Sequence, residues 1–158
     1  MKYFSLQRIK KVITQADTPP HITAISMAVG VSLAFGPLPG LHLVLGFLIN
    51  RIFRLNPVVM LVGILAHNPW TMIPIHLTGL FTGDLILYQK LVSAGQFKSM
   101  PWDQIGVFSF VDSAFWAEHG QTLASFLTPF VVGHLILSTT TGIISYKLTH
   151  MLARRYQK

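Results

Sequence analysis

Five side chains able to grip an anion or pass a proton stand around two proline-built breaks: His42, His67, Asn68, Thr71 and His76. Imidazole, amide and hydroxyl groups all donate hydrogen bonds, and histidine also accepts and carries protons near neutral pH. The first break is Gly36-Pro37-Leu38-Pro39-Gly40, and the second is Asn68-Pro69-Trp70-Thr71, with Pro74 following. Proline lacks a backbone donor and clashes with the preceding turn, so each cluster should stop a helix and start another. A new helix start exposes N–H groups and the positive end of a dipole, which suits a small anion or a phosphate headgroup. The plainer alternative is that the breaks kink packed helices while His and Asn satisfy the freed backbone groups.

Other chemistry finds little support. Asp84 is an acid in an apolar run, which allows a proton carrier or an interfacial residue. The spacing of His42, His67 and His76 matches no metal-ligand motif, so no metal or cofactor is expected. No paired carboxylates, nucleophile elbow or phosphate loop is present, and we expect a protein without catalytic residues. The chain has no Cys, which excludes disulfides, thiolate metal sites and cysteine nucleophiles.

The elements that must position these groups are apolar. Of 158 residues, 51% are hydrophobic and only 11% charged, with a mean hydropathy of +0.54. A soluble domain carries about 25% charged residues, so the expectation is one all-α integral membrane domain. The formal charge of +7 does not suggest nucleic acid, because the basic residues sit at segment ends.

Residues 1–20 hold Tyr3, Phe4, Leu6, Ile9, Val12 and Ile13 against Lys2, Arg8, Lys10 and Lys11, an amphipathic pattern for an anionic membrane surface or for packing on the protein itself. Residues 22–88 contain the two broken segments. Ile22 to Phe35 and Leu41 to Ile49 are each too short to cross a bilayer, and together they predict a re-entrant hairpin or one broken span. Lys10 and Lys11 before them and Arg51 and Arg54 after them favour the hairpin, which keeps both pairs on one side. Pro57 to Ala66 and Met72 to Tyr88 form the second broken segment.

Residues 89–125 should be an interfacial or periplasmic loop carrying Trp102, Phe108, Phe110, Phe115 and Trp116, and residues 126–146 a transmembrane helix with a basic tail over 147–158. Both termini are then cytoplasmic, with all of the 12 basic residues inside except Lys90 and Lys98. The rival arrangement is three plain crossings, which separates the termini. Three stripes of polar or small residues should face one another: His42, Gly46, Asn50 and Arg54; His76, Gly79, Gly83 and Asp84; and His134, Ser138, Thr141 and Ser145.

Three motifs in this order, Gly36-Pro37-Leu38-Pro39-Gly40-Leu41-His42, Arg54-Leu55-Asn56-Pro57 and Asn68-Pro69-Trp70-Thr71 through Pro74, carry a resemblance. Over Ile22 to Leu87 the chain resembles a bacterial membrane family known as domain of unknown function 2062. The resemblance implies a small multi-helix protein of the bacterial inner membrane. Relatives fused to glycosyltransferase domains point toward lipid-linked sugar or envelope metabolism. The function expected is binding or translocation of a small anionic or lipid-phosphate substrate, with membrane lipid and a homo-oligomeric or other membrane protein as partners. The alternative is a scaffold or accessory subunit of an envelope enzyme.

Overall fold

The computed structural model describes residues 6–14, 16–38, 40–91, 95, 98 and 113–156. Pro39, Lys2, Tyr3, Phe4, the side chains of Leu6, Arg8 and Lys10, and Trp102, Phe108 and Phe110 of the expected loop lie outside the described residues. Among the described residues six helices follow one another: α1 Leu6–Thr14, α2 Pro20–Ala34, α3 His42–Phe53, α4 Pro57–Ile64, α5 Pro69–Tyr88 and α6 Ser113–Tyr156. No strand occurs among the described residues. Two compact units are formed, Met1–Ile75 with Leu135–Lys158, and His76–His134.

In the first unit α2 starts on Pro20, where a missing N–H costs nothing because first-turn donors have no intrahelical partner. Its buried positions Thr23, Ala24, Ser26, Met27, Gly30 and Ala34 recur at helical spacing. This face meets α4 closely. A methyl on Gly30 would overlap the Met60 carbonyl, and one on Gly63 would stand 2.8 Å from the Met27 carbonyl. Backbones approach this nearly only where side chains are absent. Ser26 lies beside Asn56 and Gly30 beside Met60, so α2 and α4 run parallel.

Asn56 N–H donates to Ser26 Oγ at 2.8 Å, which brings the chain back to the level it left 30 residues earlier. The segment between is therefore a helical hairpin, with α3 as its returning arm. The hairpin ends where Arg54 adopts φ 52° and Asn56 caps α4, its Oδ1 accepting from Val58 and Val59 N–H at 3.1 Å each. Because α3 stops at Phe53, Arg54 leaves the stripe drawn through His42, Gly46 and Asn50. Gly46 is buried against Ile64, and Asn50 donates to the Leu55 carbonyl at 2.7 Å.

The C-terminal half of α6 runs antiparallel to α2. Ser32 Oγ donates to the Ser138 carbonyl at 3.1 Å, and Ser138 Oγ donates to the Ser32 carbonyl at 2.8 Å. Gly142 leaves room for Ser32. Thr141 and Ser145 are half-buried, while Leu135, Ile143, Ile144, Leu148 and Met151 face outward. Helix α6 spans 44 residues, from Ser113, not from 126, and to Tyr156, not to 146. Phe115 and Trp116, expected in the loop, lie in its first turn, with Phe115 buried.

Helix α1 packs on its own protein, one of the two arrangements its pattern allows. Its Ile13 is buried with Met27, Val59 and Ala153, and Ile9 and Val12 pack around that cluster. The apolar face is thus occupied by protein, while Lys11 is exposed.

Candidate functional site

The first break begins as α2 unwinds: Phe35 N–H donates to the Val31 carbonyl and Gly36 N–H to the Leu33 carbonyl. Gly40 turns the chain at φ 85°, a left-handed conformation that glycine adopts without strain. Leu41 N–H returns to the Leu38 carbonyl at 3.3 Å, and α3 then starts with no side-chain cap. Between the hairpin arms lies an open cavity of about 310 Å³. Leu33, Gly36, Pro37, Leu38, His42 and Leu45 line it, together with Ser32 and Ser138 at the α2–α6 contact. The lining is mainly apolar, and His42 is its one titratable side chain.

The second break is built differently. Asn68 Oδ1 accepts from Trp70 N–H at 3.0 Å and Thr71 N–H at 3.2 Å, and Pro69 at the first helical position has no N–H to place. Thr71 Oγ1 reciprocates, accepting from Asn68 N–H at 3.0 Å and donating to the Ala66 carbonyl at 2.6 Å. This is a capping box with Thr in place of the usual Glu or Gln. The polar groups of Asn68 and Thr71 thus serve the backbone. Pro74, one turn further on, cannot donate to the Trp70 carbonyl.

The two breaks meet through histidines. The rings of His42 and His67 are 4.8 Å apart between centroids, inclined at 64°. Both are half-buried. His76 belongs to the second unit and has a different partner: its Nδ1 lies 2.8 Å from Nε2 of His134. His134 is fully buried, and its Nδ1 lies 2.8 Å from the Phe130 carbonyl. Around this pair the second unit packs through glycines. Gly79 leaves room for the His134 ring, Gly83 for the Pro129 carbonyl, and Gly133 for the Gly79 carbonyl. Asp84 is fully buried on the same helix. Among the described residues no group of three or more His, Cys, Asp or Glu is placed to hold a metal ion.

The sequence reading placed His134 on a stripe but missed it as the partner of His76. The two are 58 residues apart, and no local spacing announces such a pairing.

Helix content and apolarity define the class. Among the described residues the protein is all-helical, and α6 is the one helix there that is long and apolar enough by itself to cross a membrane. Helices α4 and α5 reach that standard together, across a 71° bend. The chain belongs to the family described as uncharacterized protein conserved in bacteria (DUF2062), whose match runs over residues 5–158 and so extends well beyond Ile22 to Leu87. No curated protein and no solved structure matches the chain.

Proposed function

We propose that this is a multi-pass protein of the bacterial inner membrane that binds an amphiphile with a phosphate-class headgroup at its first break. The supporting observation is the 310 Å³ cavity between α2 and α3, whose lining is mainly apolar and includes His42. An acyl or isoprenoid chain fits the apolar part. The imidazoles of His42 and His67 supply donors for the headgroup, and the uncapped start of α3 adds backbone N–H groups. Asn68 and Thr71 then hold the second break in shape, so that His67 stays beside His42. Transport of the amphiphile is the fuller form of this reading.

Membrane residence draws support from the outward apolar faces. On α3, Phe47 is 71% exposed and Ile52 69%, and on α6 Leu135, Ile143 and Leu148 are exposed. Water does not favour such contiguous patches. In the proposed topology α2 and α3 re-enter, α4 and α5 form a bent span, and α6 crosses. Ile13 of α1 shares a cluster with Ala153 near the end of α6, which supports both termini lying on one side, the cytoplasmic side by the basic residues. A scaffold for an enzyme of lipid-linked sugars is the second reading. It is favoured by the second break, whose polar groups close on one another.

The test is binding of lipids with matched chains to the purified full-length protein in nanodiscs. A phosphate headgroup should bind in preference to a neutral one, and His42→Phe with His67→Phe should remove the preference while the protein stays folded. Equal binding of both headgroups by the parent would overturn the proposal and leave the scaffold reading.

A further inference from the structure

We propose that His76 and His134 form a proton-binding site that holds one added proton between α5 and α6 of the second unit. The bonding pattern carries the argument. A carbonyl oxygen only accepts, so the 2.8 Å contact with Phe130 places a hydrogen on His134 Nδ1. In the neutral ring Nε2 is then an acceptor. The 2.8 Å approach of His76 Nδ1 to that atom requires the hydrogen on His76 Nδ1. The remaining basic nitrogen of the pair is Nε2 of His76, on a ring that is half-buried while His134 is fully enclosed.

A proton taken from water adds to that nitrogen and makes His76 an imidazolium. Its Nδ1–H now donates to the neutral His134 as a charge-assisted hydrogen bond, which is shorter and stronger than the neutral one. Transfer along the bond moves the charge to His134 and leaves His76 neutral, with its hydrogen on Nε2. There the path ends, because Nδ1–H of His134 is held by the Phe130 carbonyl. The pair is a one-proton store filled and emptied through His76. A second proton would set two N–H donors against each other, so the pair does not take it.

One aromatic ring adjoins both imidazoles. The Phe130 ring lies 4.1 Å from the His134 ring and 5.6 Å from that of His76, within reach of a cation–π contact. The other titratable groups described on the same helices within this unit are Asp84 and Tyr88 on α5 and Glu118 and His119 on α6. Of these, Asp84 lies two turns along α5 from His76 and is itself fully buried. The missing side chain of Gly79 lets the His134 ring lie close against α5.

The proposal is independent of what the cavity in the first unit binds. Its test is nitrogen-15 NMR of the imidazoles in the full chain in lipid bilayers, titrated from about pH 8 to about pH 5. A nitrogen–nitrogen coupling should link His76 Nδ1 to His134 Nε2, and one step of proton uptake should move the signals of both rings together. In His76→Gln, where enclosed His134 keeps its place, that shared step should vanish. Absence of the coupling, separate titration of the two rings, no proton uptake over the range, or a His134 signal whose titration is unchanged in His76→Gln would each overturn it.

Discussion

The first break and the second use prolines alike and end differently. At the second, an Asn precedes the proline and accepts from the two N–H groups that follow it, while Thr71 closes the box. The same arrangement, with no reciprocal Thr, starts α4 at Asn56-Pro57. At the first, glycine flanks the prolines, no side chain caps α3, and a cavity remains between the arms. Asn-Pro therefore makes a joint that is complete in itself, whereas Gly-Pro-Leu-Pro-Gly leaves donors and space. A site is better sought at the joint that is incomplete.

The largest effect should come from the crossing that holds the hairpin's base. Replacing Gly63 by Val places atoms against the Met27 carbonyl and Val31 N–H of α2, backbone groups that cannot yield. We expect a loss of about 3 kcal/mol or more, read as collapse of the folded fraction in a detergent-denaturation titration. Gly36→Ala in the first break, whose nearest neighbours stand at 3.4 Å, should be tolerated in the same assay. Equal damage from both would mean that the first break is as tightly packed as the crossing.

Next come the caps. Asn56→Ala removes the acceptor for two N–H groups and the contact with Thr18 Oγ1, and Asn68→Ala removes an equivalent pair. Each should cost about 1 kcal/mol, Asn56 somewhat more, in the same titration. Thr71→Val keeps the shape but loses the reciprocal bond, and should cost about 0.5–1 kcal/mol. Smallest in stability is His42→Phe, within about 0.5 kcal/mol, because no backbone group depends on that ring in the way that Asn68 N–H depends on Thr71. A cap variant that abolishes lipid binding with its stability intact would blur the contrast between the joints.

Much of this was legible in residue order. The proline clusters marked both breaks, and the short apolar pieces between them became α2 to α5 with ends shifted by a few residues. The return of the chain between α2 and α4 rests on a contact that residue order does not announce, Asn56 N–H on Ser26 Oγ. What the sequence could not specify was which partner a face would find. The amphipathic pattern of α1 serves a lipid surface or a protein groove equally well, and Ile13 found Val59 and Ala153. Nor does composition reveal whether a polar residue is spent on its own helix: Asn68 and Thr71 look like ligands until their bonds are drawn. The extra length of α6 escaped because Ser113–Ser125 mixes apolar and polar residues around Gly120 and so carries no continuous apolar run.

The central claim, that the first break is the amphiphile's seat, is tested most directly by photolabelling. A phosphate lipid with a photoreactive group near the head of its chain, bound to the full-length protein in nanodiscs, should attach to peptides covering residues 33–45. Leu45→Trp, which fills the cavity, should abolish that labelling while leaving the fold intact. Labelling spread over the outward faces of α3 and α6, and unchanged by Leu45→Trp, would contradict the account.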